Sequence, residues 1–314
     1  MISGRNSIDR TRRCADASSV GNGEQQDRTL SSGVVLVTGT TGAQGGAVAR
    51  QLSALGYPVR GVARARGGAT GSANAWPVVT ADLTDVASAI RSFRGVSRAW
   101  VHVPLVFDAE WTHRYAVAVS QAAGTAELQQ LVLVTGTRIP ARPTGHECFE
   151  TRRRTVATIL EAGVPTTVLQ PTLYLENLCA PQIVRAVAQQ GVLRYPVPAQ
   201  ARVAWMSHLD LGAYAADALV SPPATSTVRM GGREAVTGDE LAARFAKVLN
   251  RAVRYEPLDP DVFAAGLAPI LGPATAAGVA DTYRWIARDL DLHRDTDERL
   301  PPEDRKSTRL NSSH

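Results

Sequence analysis

Gly39, Gly42 and Gly45 recur at a spacing of three between the apolar run "VVLVT" (34–38) and a segment of helical spacing. Glycines so placed let a chain turn sharply, bring its backbone amides close to an anion, and pack the following helix tightly on a strand. Side chains would obstruct all three steps. The chemistry implied is the holding of a dinucleotide pyrophosphate by helix N-terminal amides, and a bare turn is the alternative.

The next strand tells which dinucleotide such a cradle takes. A carboxylate about 20 residues on grips the ribose diol of NAD, whereas an arginine receives the 2′-phosphate of NADP. Between Gly33 and Ala81 there is no Asp or Glu, and the second apolar run ends in "VARAR", which puts Arg64, with Arg66 near it, at the decisive place. A guanidinium presents a planar fork that fits phosphate, so NADP(H) is expected over NAD(H). A solvated surface arginine is the competing reading. Asp82-Leu83, after the third run, suits acceptance from the adenine amino group, and Asp82 would equally serve as a helix cap.

These residues need elements to position them. Apolar runs at 34–38, 58–63, 77–80, 98–103, 130–135 and 165–170 alternate with segments of helical periodicity. Val48, Leu52 and Leu55 share one helical face before Gly56, and Val86, Ile90 and Phe93 share another before Gly95. Strand–helix alternation builds a parallel sheet covered on both faces, with its ligand crevice at the strands' carboxyl ends. Beyond it the order is less regular. Thr237-Gly-Asp-Glu240 predicts a capping box for a helix through Leu249, and Asp281 to Leu290 predicts another helix. No repeat of solenoid period occurs.

Composition excludes several classes. The chain has 314 residues, 44% hydrophobic and 20% charged, within the range of globular proteins. Of its net charge of +5, about three units come from residues 1–33 and 304–314, so the basic footprint of a nucleic-acid binder is missing from the body. No apolar stretch approaches the roughly 18 residues of a membrane span, and none resembles a signal-peptide core. Cys14, Cys148 and Cys179 are odd in number and lack ligand spacing, as do His113, His208 and His293, so neither a disulfide framework nor a metal site is expected. A cytoplasmic location follows as an expectation. Residues 1–33 read as a disordered polar extension, and the closing "DRKSTRLNSSH" (304–314) breaks so abruptly in composition that it reads as a non-native tail.

In order along the chain, "VLVTGTTGAQGGAVARQL", "VRGVAR", "ADLTD", "GVSRAWVHVP", "LVLVTGT" and "LQPTLYLENL" resemble the NmrA-like family of atypical short-chain dehydrogenases/reductases. The resemblance runs from about Val34 to Val220 and more loosely to Leu300. It implies an α/β fold: a Rossmann-type doubly wound parallel sheet (34–175, with parts of 203–235 able to join it) and a smaller α+β C-terminal lobe (176–303). It also implies that Thr41, Gly42, Ala43 and Gln44 line the pyrophosphate, that Val103-Pro104 and Thr135-Gly136 border ribose and nicotinamide, that Pro171 and Thr172 contact the cofactor, and that Thr172 to Asn177 flank the substrate pocket.

That family holds both reductases and regulators that only sense the nicotinamide. Ordinary short-chain reductases carry Tyr-x-x-x-Lys, the tyrosine protonating a carbonyl oxygen and the lysine lowering its pKa. Here Cys148 and Arg152 stand at those places, and Lys247 is the only lysine before the final tail. Arg152 can bind ribose hydroxyls or phosphate but cannot relay a proton. His146, with a pKa suited to acid chemistry, and Tyr174, as donor or aromatic wall, complete the catalytic candidates. His102 and Trp100 are expected to pack in the core or against the cofactor. Two functions are therefore expected: reduction by NADPH of a quinone or conjugated carbonyl, which tolerates a missing acid, or a non-catalytic NADP(H)-sensing role. The first implies a small-molecule substrate and the second a regulatory protein partner; neither involves nucleic acid or membrane, and either suits a monomer or homodimer.

Overall fold

The computed structural model describes residues 33–64 and 76–296; Arg66, the extension at 1–32 and the tail at 304–314 lie outside the described residues. Its central strands carry almost unbroken apolar runs because both of their faces are covered. They are β1 (Val34–Thr38), β2 (Val59–Ala63), β3 (Val78–Thr80), β4 (Val96–His102), β5 (Gln130–Val134) and β6 (Thr166–Gln170). A further strand, Ser226–Arg229, joins beyond β6. The intervening helices are α1 (Ala43–Ala54), α2 (Val86–Phe93), α3 (Ala109–Thr125) and α4 (Glu147–Leu160).

All pairings in this seven-stranded sheet are parallel, in the order β3-β2-β1-β4-β5-β6 and then Ser226–Arg229. The order reverses at β1, which lies between β2 and β4. A reversal opens a crevice at the strands' carboxyl ends, because the loops on its two sides run to opposite faces. The period of two along each strand sorts side chains to those faces. Leu36, Ala99, Val101, Leu131 and Leu133 point to the face covered by α2, α3 and α4. Val35, Val37, Trp100, Val132 and Val134 point to the other, against α1 and the helix His208–Val220. Phe93 and Ile159 are fully buried in the first layer, Leu52 and Leu211 in the second.

The chain beyond β6 passes through a 3-10 turn, Leu175–Cys179, then α5 (Pro181–Gln190), β7 (Val192–Tyr195), α6 (His208–Val220) and β8, the Ser226–Arg229 strand. It continues into α7 (Gly238–Leu249), β9 (Arg254–Pro257), α8 (Pro260–Leu271) and α9 (Pro273–Arg288). Thr237 caps α7 through the expected reciprocal box with Glu240, and the helix expected over Asp281 to Leu290 starts earlier, at Pro273. β7 and β9 form a separate parallel pair in register Leu193↔Tyr255. Around it Tyr195, Trp205, Phe263 and Tyr283 meet edge to face, with the Tyr195 and Tyr283 hydroxyls 2.6 Å apart. The all-parallel sheet is what the strand–helix alternation predicts, and a small lobe beside it is what the family resemblance implies.

One buried cation ties the end of the described chain to the sheet. Arg138, after β5, is fully buried and donates to the carbonyls of Met230, Leu292 and Asp295 and to the Asp295 carboxylate at 3.0 Å. Burial pushes its pKa down to about 10, so it remains charged at neutral pH.

Candidate functional site

The turn from β1 into α1 needs its glycines for stated steric reasons. Gly39 has a φ of +64°, and a Cβ on it would stand 2.9 Å from Cε1 of His102. At Gly45 a Cβ would fall 2.3 Å from the Thr38 carbonyl oxygen and 2.5 Å from that of Gly39, closer than real atoms approach. Gly42 is the N-cap of α1; no side chain caps this helix, and its first turn holds no acidic residue. By contrast Asp85, Asp108, Ser207, Thr237 and Asp259 cap α2, α3, α6, α7 and α8. The start of α1 is thus an uncovered, positively polarised helix end, suited to an anion.

It opens into a cleft of about 430 Å³ that runs across the carboxyl ends of the strands. Gly39, Thr41, Gly42, Ala43, Gln44 and Gly45 line its middle. Arg64 at the end of β2, with Asp82 and Leu83 after β3, lines one end, and Pro104 after β4 lies on the other side. The Gln44 Oε1 atom is buried without a partner, a waiting acceptor inside the cradle. Asp82 does not cap α2; Asp85 does, accepting from the Ser88 amide at 2.7 Å. Instead, Asp82 accepts from the amide and the hydroxyl of Thr84, both at 2.8 Å, and these bonds hold its pKa below the usual carboxylate value, helped by Arg114 and Arg64.

The remaining sequence candidates surround this cleft without lining it. Val103 is buried in the sheet core, its amide bonded to the Val134 carbonyl. Thr135 is wholly buried, its hydroxyl donating to the Thr137 carbonyl at 2.6 Å, and Gly136 follows in a left-handed turn at φ +74°. Pro171 is buried, and the Thr172 hydroxyl donates to the Ala204 carbonyl. Arg152 is 5% exposed; it donates from Nε to the Thr135 carbonyl at 3.0 Å and from Nη1 to the Cys148 carbonyl, with its guanidinium over the Phe107 ring. No carboxylate pairs with it among the described residues, and burial lowers its pKa to about 10, still a cation at neutral pH. The Cys148 thiol is buried and its pKa raised by that burial. His146 is the N-cap of α4 and sets its ring edge-on against Trp285, 5.6 Å away. Tyr174 is buried, its hydroxyl unpartnered and its pKa raised by burial, with its ring 4.6 Å from that of His208.

His102, expected in the core or against the cofactor, and Asn177, expected beside the substrate pocket, do line the cleft, whereas Trp111, Tyr115 and His208 line it with no motif that singles them out. His102, at the end of β4, lies on the floor, where its Nδ1 is 3.1 Å from the Thr38 hydroxyl; burial, then Arg64, lowers its pKa to about 4, so it is neutral in ordinary conditions. Trp111 and Tyr115 from α3 also line the cleft, their rings stacked at 5.6 Å. Asn177 and His208 line the β6 side, opposite Arg64. His208 opens α6, and the only sequence signal for its placement is the Ser207-x-x-Asp210 box, in which each side chain bonds the other residue's amide. Ser207→Ala is expected to cost about 1 kcal/mol in urea unfolding, the usual worth of such a cap.

Among the described residues no helix is long and apolar enough to cross a membrane, and no group of three metal-ligating side chains gathers. A model of the NmrA-like family matches residues 31–285. The chain is 32% identical over 250 residues to the (4-alkanoyl-5-oxo-2,5-dihydrofuran-3-yl)methyl phosphate reductase of Streptomyces griseus subsp. griseus, covering 77% of this chain and 83% of that protein. Among solved structures it is similar to the Citrobacter sp. triphenylmethane reductase complexed with NADP(H), at a TM-score of 0.68 and 21% identity, covering 84% of this chain and 96% of the other. The NADPH-dependent quinone oxidoreductase of Escherichia coli, complexed with NADPH, also gives 0.68 at 22% identity, covering 82% and 90%.

Proposed function

Since this chain belongs to the NmrA-like family, we propose that it is an NADPH-dependent reductase of a carbon–carbon double bond conjugated to a carbonyl. The substrate class is that of acylated, phosphate-bearing unsaturated lactones, with quinones as a second class of acceptor. The observation that carries this reading is the uncapped, glycine-shaped start of α1 facing a cleft that ends on Arg64. The fit is chemical as well as steric. Amides at the α1 start suit a pyrophosphate, Arg64 a 2′-phosphate, Asp82 and Leu83 an adenine, and Pro104 the ribose beyond it.

Bound in this way, NADPH supplies a hydride. The side chains then have three tasks. Gly39 to Gly45 and Arg64 would bind the nucleotide; Val103, Thr135, Gly136, Pro171 and Thr172 form the buried support behind the cleft wall on the nicotinamide side, their backbones fixed by the sheet. Arg152 clamps the Thr135 and Cys148 carbonyls and so holds the β5–α4 loop in place. The lactone of the Streptomyces reductase carries two carbonyls on one alkene carbon, so the negative charge left by hydride addition spreads over both. Such a substrate does not need the tyrosine–lysine pair as its acid, which suits a chain with neither Tyr nor Lys at the usual positions.

The test is direct. Purified protein is mixed with NADPH and, in turn, an alkanoyl butenolide phosphate, its dephosphorylated form, quinones and enals, while the reduced nicotinamide absorbance is followed. Turnover of the phosphorylated butenolide well above its dephosphorylated form is expected. Saturable NADPH binding with no acceptor reduced would favour the sensing role instead, a reading that the buried Cys148 and the fixed Arg152 keep open.

A further inference from the structure

Two histidines line the cleft, and their surroundings differ. His102 faces a threonine hydroxyl and an arginine, with no carboxylate. His208 has one. Glu176, in the 3-10 turn 32 residues earlier, accepts from the His208 amide through Oε1 at 2.8 Å, and the same oxygen is 3.7 Å from the ring Nδ1. The other oxygen, Oε2, is buried without any partner, although a carboxylate so placed needs one. His208 itself is 12% exposed at the side chain, on the β6 side of the cleft where the nicotinamide half of a dinucleotide lies.

We infer that His208, backed by Glu176, is the proton donor of the reaction, delivering from Nε2 to the carbonyl oxygen of the substrate. This rests on the reductase reading above. Hydride from the dihydronicotinamide forms a C–H bond at the β-carbon, and the alkene electron pair moves to make an enolate. The Nε2–H bond then breaks, its proton closes the O–H bond of the enol, and the imidazole left neutral regains a proton from water. Glu176 compensates the imidazolium before transfer. Against the ring stand Glu176 from the turn and the neutral Tyr174 ring; Asp210, two residues on in the same helix, has its carboxylate engaged with Ser207. Burial lowers the His208 pKa on balance, with Glu176 opposing the shift, so the imidazolium is a stronger acid than a free one and forms below the ordinary histidine range.

Two measurements judge the inference. In the protein without nucleotide, imidazole NMR titration should show the His208 pKa falling in Glu176→Gln; an unchanged value overturns the pairing, whatever the activity. In steady-state reduction, kcat should decline as pH rises through the His208 pKa. His208→Gln should lose about 100-fold in kcat and flatten that limb, while NADPH affinity stays within about threefold. A variant that keeps both kcat and the pH limb overturns the assignment. If the native protein reduces no acceptor, the reductase reading fails and the inference falls with it, while the NMR result still decides whether the pair exists.

Discussion

Gly45→Ala is expected to weaken NADPH binding beyond measurement. The added methyl would sit 2.3 Å from one carbonyl oxygen and 2.5 Å from another, both backbone atoms of the β1–α1 turn, so no side-chain rotation relieves it. The turn must open, and the α1 amides would leave the place proposed to hold the pyrophosphate. Overpacking of this kind costs about 1–3 kcal/mol in stability, and the displaced cradle weakens NADPH by at least about 100-fold. Calorimetry and the NADPH-induced rise in Tm report the two effects separately, since ligand stabilises the fold only where it binds. Gly42→Ala is the internal control. Its Cβ would meet the Gly39 carbonyl oxygen at 3.3 Å, a contact that a shift of a few tenths of an ångström accommodates, so the turn should keep its shape and affinity should fall less than in Gly45→Ala. Equal losses in both variants would show that steric closeness at Gly45 is not what the cradle depends on.

Arg64→Asp reverses the choice of nucleotide. Arg64 is exposed at the end of β2, lines the cleft, and acts electrostatically on both Asp82 and His102, which places its charge where the proposed binding puts the adenosine half. Replacing it removes charge-assisted bonds to a phosphate dianion, about 1.5–3 kcal/mol, and adds repulsion, so NADPH affinity should fall about 100-fold. NADH should hold or gain, because the new carboxylate can accept from a ribose diol. The wild-type preference should shrink as salt is raised, as expected of an exposed ion contact. A variant that still discriminates against NADH as strongly as the native protein would remove Arg64 from this role.

Much of the scaffold is legible in the chain itself. A central strand buried on both faces must be apolar throughout, so β1, β4 and β5 announce themselves, and the glycine in the first turn of α1, Gly45, is dictated by the Thr38 and Gly39 carbonyls beside it. β8 hides because it is an edge strand, mostly exposed, in which Ser226, Thr227 and Arg229 leave no apolar run to read. β7 and β9 are short, and what makes them a sheet is their meeting across some 60 residues, with Leu193 opposite Tyr255. Asp82 illustrates the limit within a few residues: two carboxylates precede α2, and only the folded turn assigns Asp85 to the helix and leaves Asp82 on the cleft.

By itself the sequence determined the parallel α/β architecture, the glycine turn ahead of α1, the arginine ending β2 and the capping box of α7, all features whose causes act within one strand, one turn or the two ends of one helix. Tertiary structure alone decided that Glu176 stands behind His208, that Arg152 is sealed beneath Phe107, and that His146 turns to Trp285 rather than to the cleft. The physical reason is separation: periodicity reports which face of an element is buried, whereas the partner that buries it comes from elsewhere in the chain, and only packing brings the two together.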